Sequence, residues 1–484
     1  MKRQLLFLII FVTLFTGCEE ALDFPVRDKI TQENFYQNED DAVAAINSIY
    51  DVLGAVELYC SSLWLIQDIS SDDFDALETW NDPNAHQFDQ YTLQSTNNYL
   101  SGLWQASYRG ISNANIALQR IPGIDMEEEL KNRLLAEAQF LRGLFYFNLV
   151  RLFGDVPLIL QPGSTIDEYL VSRETADVVY STIINDLSLA SEHLPLSYTG
   201  SDKGRATKGA ALGMLSKVYL TRGQWDLAAE NARQVMDLEV EGIYGLFTDY
   251  ADNFKDKNKN GLEAVYQVQF YTGSQPENTR IVISGLPSIP PFTAGVGIIL
   301  PTDDLLASFD SGDYRYNVTF FAEYSYFGTI YTFEPHVWKH WDRETYTASK
   351  TGQSGANFPV IRYSEILLIY AEALNEINNG PTQEAYDAVN RVRARARHGD
   401  NGVLPDLSGL NQADFRNAVL KEKRCETVNE GQRWFDLVRT GNLVEYVKRA
   451  KGDKANPTEF NYVFPIPQRE MDINDKLTQN SGSW

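Results

Sequence analysis

The feature that most constrains this chain is a helical hydrophobic period that persists over long stretches. Between Glu127 and Gly154, Leu130, Leu134, Ala138, Leu141, Phe145, Leu149 and Leu152 recur every three or four positions, which predicts a helix with one apolar stripe. Glu127, Glu128 and Glu129 favour its N-terminus through the helix dipole and Arg151 its C-terminus, while Gly154 followed by Pro157 stops it. Comparable patterns predict helices over 39–58, 104–121, 173–194, 363–378, 382–397 and 412–427. Strand signals are few: Ala264 to Phe270 alternates, and short β pieces are expected around 329–341. The fold class is therefore mostly α, with irregular loops and a few short β-strands.

Part of the helical pattern repeats. Gly209 to Asp237 reads as helix, turn at Gly223, helix, and a shift of 157 residues lays Gly223 on Gly380, Ala228 on Ala385, Ala232 on Val389 and Val235 on Val392. Small residues at Gly213 and Ala228 let paired helices approach closely. The pattern has the look of tetratricopeptide-like helix pairs, which stack because one pair cannot bury its own apolar face. Two generic helical hairpins would give a similar pattern.

The N-terminus indicates destination. Lys2 and Arg3 precede an apolar run from Leu5 to Phe15, closed by Thr16, Gly17 and Cys18. That run is well short of the roughly 20 residues a membrane span needs, so residues 1–17 read as a cleaved signal peptide. The order Leu14, Phe15, Thr16, Gly17, Cys18 resembles a bacterial lipobox, making Cys18 the expected lipidation site and 18–38 a lipidated tether. An ordinary secretory leader with an incidental cysteine is the alternative. No later apolar segment is expected to span.

Charge narrows the partners. Lys plus Arg is 42 against 66 Asp plus Glu, a net charge of −24, and loss of Lys2 and Arg3 with the leader makes the chain more acidic still. Such a field repels polyanions, so nucleic acid is not an expected partner and a neutral ligand is easier, although local patches can reverse this. Cys60 and Cys425 remain after Cys18 and frame no disulfide scaffold; both are expected to be buried thiols.

Catalytic motifs are wanting. There is no HExxH helix, GxSxG elbow or phosphate-cradling glycine loop, and Gly352-Gln353-Ser354-Gly355 lacks the spacing of a serine elbow. His336 and His340 lie four apart beside Pro335, where a strand or loop is expected rather than a metal-binding helix face. Asp256, Asn258, Asn260 and Gly261 match half of a calcium loop, but position twelve is Gln267 instead of glutamate. Asp72, Asp73 and Asp75 could in principle be paired carboxylates for glycoside hydrolysis, though a ligand-bonding or solvated loop needs fewer assumptions. The chain is expected to be no enzyme, with neither cofactor nor metal.

Aromatic residues concentrate where the helical pattern fades. From Phe270 to Tyr346 there are 16 in 77 residues, about 21% against 12% overall, and long aromatic-rich loops on a helical scaffold usually carry function. Sugar rings stack on Trp and Tyr while amides and carboxylates bond their hydroxyls. The candidate ligand-binding residues are Asp73, Trp80, Asn81 and Tyr91 from the Ser70–Asn98 loop, and Tyr271, Tyr331, Trp338 and Trp341 from the aromatic segment. Tyr324, Tyr326, Tyr331, Trp338 and Trp341 could equally form the core of a small β element. Arginines of the helical blocks, Arg142, Arg151, Arg362, Arg424, Arg433 and Arg439, lie near Glu137, Asp155, Glu365, Glu426 and Asp436 and are expected to bridge helices. Trp104, Trp225 and Trp434 are expected in the core.

Several blocks, in order, resemble the RagB/SusD family of nutrient-uptake lipoproteins: WQASYRGISNAN from Trp104, AEAQFLRGLFYFNLVRLFGDVPL from Ala136, GRATKGAALGMLSKVYL from Gly204, VIRYSEILLIYAEALNE from Val360, KEKRCETVNEGQRWFDLVRTG from Lys421, and FPIPQREMDIN from Phe464. Lys423 and Cys425 depart from the family's usual Glu and Val-like residues. The resemblance implies a SusD-like helical fold divided as 39–270, an aromatic ligand region 271–360, and 361–484. It implies an outer-membrane lipoprotein facing the cell exterior, lying as a lid over a SusC-like TonB-dependent transporter and delivering an oligosaccharide to it. Ligand contacts in that family come from loops in the two regions above. A peptide-binding relative and a helical scaffold for protein partners are the alternatives.

Overall fold

The structure, a computed structural model, describes residues 35–272, 278–289, 293, 295–345 and 354–482. The leader, Cys18, Tyr346 and the Gly352-Gln353 pair lie outside them.

Among the described residues, nine helices reach thirteen residues or more: α1 (Glu39–Leu53), α2 (Asn98–Arg120), α3 (Glu128–Phe153), α4 (Ala176–His193), α5 (Lys208–Thr221), α6 (Trp225–Asp237), α7 (Tyr363–Ile377), α8 (Gln383–Ala396) and α9 (Gln412–Glu426). Every periodic stretch expected to be helical forms a helix over most of its length, with 39–58 the one cut short. Side-chain caps set several starts: Asn97 accepts from Tyr99 N, which begins α2 six residues before its apolar pattern, and Glu127, Thr207, Thr382 and Asn411 cap α3, α5, α8 and α9. The expected 39–58 helix instead ends at Leu53. A five-residue turn follows at Val56–Cys60, where Leu58 has non-helical φ −111° and ψ −124°, and then a separate helix, Ser62–Ile69. By length and apolarity the run Glu39–Ile69 would suffice to cross a membrane, contrary to the reading of the sequence, but 67% of its apolar window is buried within the protein. Its apolarity is spent on the core.

From α1 to α7 each long helix packs on the next, and α7 then carries both α8 and α9. The two related hairpins, α5–α6 and α7–α8, are thus stacked neighbours through α6 and α7. Gly223 (φ +65°) turns the first, and a Cβ on Gly213 in α5 would sit 3.0 Å from Val265 and 3.3 Å from Ile366, the close approach that its small size permits.

Strands are short and pair in antiparallel twos: β1 (Phe74–Ala76) with β5 (Ile299–Pro301), β2 (Val156–Pro157) with β3 (Arg173–Glu174), β4 (Ala264–Val268) with β8 (Phe358–Arg362), and β6 (Phe320–Tyr326) with β7 (Thr329–Val337). Both expected β segments are present. Trp104 and Trp434 are core residues, while Trp225 is only half-buried.

The arginines do bridge elements, mostly to partners distant in sequence. Arg142 joins α3 to Asp186 of α4 at 2.7 Å, Arg439 grips Glu372 of α7 at 2.6 and 2.8 Å, and Arg433 holds Asp72 at 2.7 Å. Arg362 bonds Glu426 at 2.7 Å, Glu430 at 2.9 Å and Glu263 at 3.2 Å, and Arg395 and Arg315 reach Glu426 as well. Arg151 corrects the expectation: its guanidinium lies over the rings of Phe147 and Phe435, 3.8 and 3.6 Å from their centroids. The neighbouring Glu137 pairs with Arg205, and Glu365 pairs with Lys217 and Lys423. Lys423 is therefore matched by a buried carboxylate, and Cys60 and Cys425 are buried thiols.

Candidate functional site

The two loop regions proposed from sequence meet through β1 and β5. Phe74 faces Pro301, Asp75 faces Leu300 and Ala76 faces Ile299, and Leu77 N donates to Ile298 O at 2.9 Å. Beyond Leu77 the chain turns, Trp80 N donating to Leu77 O at 2.9 Å, and Asp82 caps the helix Pro83–Gln90 through Asn84 N and Ala85 N. Tyr99 donates to the same carboxylate at 2.7 Å. Trp80 is half-buried and Asn81 exposed on this braced turn. His86 Nε2 lies 2.8 Å from Trp80 O and its ring 6.4 Å from the indole.

On the other side, β5 packs against β7 of the aromatic hairpin. Tyr324 pairs with Tyr331 across the hairpin, and Ser325 with Ile330. Tyr324, Tyr326, Tyr331 and Phe333 are half-buried whereas Glu323, Ser325, Ile330, Thr332 and Glu334 are exposed, the alternation of a hairpin with one packed face. At its tip Phe327 (φ +48°) is 92% exposed and Ile330 67%.

Four of the eight candidate ligand residues are structural in this arrangement, contrary to expectation. Asp73 is buried, its carboxylate 2.6 Å from Arg424 Nε; burial raises its pKa and Arg424 only partly offsets this. Tyr91, in the left-handed cap of the helix Pro83–Gln90, donates its hydroxyl to Ser70 O. Trp341 is buried, its ring 5.7 Å from that of Tyr324. The Trp338 indole is half-buried, lying parallel to Phe321 at 4.4 Å with Arg343 at 3.7 Å, and its N–H donates to Asn317 O. These side chains are occupied by packing, since a ring or carboxylate matched within the protein offers little to a ligand. Trp80, Asn81 and Tyr331 are placed on or beside the joined surface, whereas Tyr271, 67% exposed, lies at a different hollow.

The acidic run Asp72-Asp73 is part of the scaffold. Burial pushes the Asp72 carboxyl up, but Arg433 and Arg424 outweigh it and hold it at about 2. Thr302 Oγ1 donates to Asp72 O at 2.7 Å and Thr302 N to Asp73 O at 2.9 Å. His340 is buried, its Nε2 3.0 Å from Asn429 O, with burial lowering its pKa to about 3; His336 Nδ1 lies 2.7 Å from Glu334 O. Among the described residues, no group of three or more His, Cys, Asp and Glu is placed to hold a metal ion.

The sequence reading missed a hollow of about 480 Å³ between α1, the 201–205 loop and β4. Its one signal was the polar half of the Ala264–Phe270 alternation, Gln267 and Gln269, which line it.

Comparison with known proteins places these elements. The model of the SusD family matches residues 324–483, and that of a family described as "Starch-binding associating with outer membrane" matches residues 28–220. The chain is 29% identical to SusD-like protein P2 of Formosa agariphila, with all of both chains covered. It also shares its fold with a SusD homolog from Bacteroides thetaiotaomicron (TM-score 0.82, 26% identity, covering 93% of this chain and 98% of that one). A laminarin-binding SusD-like protein matches with TM-score 0.79 and 27% identity, covering 93% of this chain and all of the other.

Proposed function

The chain belongs to the SusD/RagB family, and from that premise we propose that it captures an oligosaccharide at the cell surface and passes it to a SusC-like TonB-dependent transporter. The observation that carries the reading is the joining of the Trp80–Asn81 turn to the aromatic hairpin by β1 and β5, which gives one surface an aromatic ring, an exposed amide and a row of tyrosines. An indole presented beside an amide suits a sugar, whose apolar ring face stacks while its hydroxyls bond. Relatives support the choice of ligand, one of them being a laminarin-binding protein. The protein acts by binding, without chemistry: ligand shifts the population toward a closed lid through contacts made only there. The signal at 1–17, lipidation at Cys18 and the tether over 18–38 form the proposed route to the outer face of the outer membrane, and Cys18→Ser is expected to move the protein out of the membrane fraction of cells lacking the transporter.

The direct test is titration with neutral oligosaccharides, laminarihexaose among them, and with peptides. Trp80→Ala is expected to weaken glycan binding by about 1–3 kcal/mol, the scale of a lost aromatic anchor, on a protein that still melts cooperatively, its stability lowered by about half the cost of truncating a fully buried ring because the indole is half-buried against the core. Binding of peptides but of no glycan would replace this reading with that of a peptide-binding relative.

A further inference from the structure

The hollow beside β4 lies apart from the β1–β5 surface and is built of different chemistry. Asn47, Tyr50 and Asp51 of α1 form one wall, Arg109 of α2 and the 201–205 loop another, and Gln267, Gln269 and Tyr271 the floor and lip. At about 480 Å³ it is large enough for a sugar unit or two. Its floor is fixed: the Gln269 amide bonds Asn260 at 2.7 and 3.0 Å and accepts from Asn357 at 2.9 Å. Gly204 (φ +106°) presses the 201–205 loop so near that a Cβ there would lie 2.6 Å from the same amide. Tyr271, 67% exposed at the lip, offers an aromatic ring to solvent.

Charge distinguishes the three cations. Arg205 is fully committed, bonding Glu137 at 2.9 Å, Asp202 at 2.8 Å and Asn47 at 2.6 Å. Arg109 and Lys203 are exposed and, among the described residues, form no ion pair; the one acidic side chain in the lining is Asp51. Two unmatched cations against one carboxylate reverse, locally, the sign of a chain whose net charge is −24. We propose that this hollow is a second saccharide subsite that takes a sugar carrying an anionic substituent, a carboxylate or a sulfate ester, with Tyr271 against the ring face and Arg109 and Lys203 meeting the anion. An anion on a guanidinium and an ammonium gives charge-assisted bonds, and a stacked ring adds orientation.

The inference rests on the glycan reading above, and its test keeps the two apart. The wild-type protein, the double variant Arg109→Gln/Lys203→Gln, Tyr271→Ala and Trp80→Ala are titrated with an oligogalacturonate, a sulfated galactan oligosaccharide and neutral oligosaccharides including laminarihexaose, each at low and high salt. At least one acidic probe is expected to bind the wild type, about tenfold or more weaker in the double variant, as loss of a charged hydrogen bond implies, and weaker in high salt. Which acidic probe binds distinguishes carboxylate from sulfate. Neutral binding and melting temperature are expected to be unchanged by the double substitution. Neutral glycans that bind while neither acidic probe does, or acidic binding that survives the double substitution, overturns the subsite alone. Failure of every glycan to bind overturns it together with the function it rests on.

Discussion

Around Arg362 and along the aromatic hairpin the protein concentrates two kinds of residue that are awkward to place, and it treats them oppositely. The C-terminal network withdraws its charges from water and matches each: Arg362, Arg315, Arg395 and Lys339 against Glu263, Glu426 and Glu430. The hairpin and the Trp80 turn leave apolar side chains partly in water, with Phe327 and Ile330 mostly exposed. A matched buried charge is occupied by its partner and can serve only architecture, whereas a ring left half in solvent retains a face for something outside the chain. The comparison also sorts the aromatic segment internally, since Trp338 and Trp341 fall on the occupied side and Trp80 and Tyr271 on the available side.

The hardest test of that division is Arg362→Met. It removes one buried cation from both Glu426 and Glu430, leaving the first to Arg315 and Arg395 and the second to Lys339, and the expected loss is about 3–5 kcal/mol of folding stability, read from urea denaturation; a loss below about 1 kcal/mol would mean that the network is not what locks the C-terminal elements.

Acid probes the same region without mutation. Burial raises the Glu426 and Asp436 carboxyls, but Arg395, Arg362 and Arg315 around the first, and Lys423 and Arg439 around the second, outweigh it and hold both well below the usual carboxylate range. Because the folded values are depressed, their stabilisation is in place above the ordinary values of 4.5 and 3.8 and is lost as the pH falls through and below them. The melting temperature is expected to be level near neutrality and to drop steeply below about pH 4.5; a profile flat down to pH 2 would contradict the assignment.

Trp338→Ala sharpens the line within the aromatic segment. A half-buried ring stacked on Phe321 is expected to lose roughly half of the ~3–5 kcal/mol of a fully buried one, with glycan affinity unchanged; the reverse result would return Trp338 to the binding surface. The smallest effect belongs to Phe327→Ser, which in differential scanning is expected to stay within about 0.5 kcal/mol of wild type, since the ring is 92% exposed.

Legibility in the sequence followed the same division. Helices with a strong 3.6-residue period and an evident stop, such as α3 with Gly154, were legible because local pattern and tertiary burial agree. The stop at Leu53 was legible in Gly54, which caps it, but the apolar period runs on across the glycine and hides it; the non-helical Leu58 has no local mark, since Val56–Cys60 carries no proline or glycine. The arginines were recognisable as architecture, yet their partners were not, because Arg433 reaches Asp72 across the whole fold. For the site, the two regions could be named from composition but the individual residues could not: nothing local marks Asp73 as the partner of Arg424, or Trp338 as lying under Arg343. Tertiary contacts decide which aromatic remains available.

The meeting of Asp72-Asp73, Thr302 and Arg424 has a consequence in time as well as in space. Thr302 lies 230 positions beyond Asp72, and Arg424 lies 351 beyond Asp73. Contacts of such separation carry the full loop-closure cost and form late. The turn that presents Trp80 is braced locally by Asp82 and Tyr99, but the Asp72-Asp73 segment ahead of β1 is tied to Arg424 only after the last fifth of the chain has emerged and docked. The early helices α1 to α6 can therefore pack on their neighbours while this tie is still unmade, so a complete Asp73–Arg424 pair reports that α9 has docked.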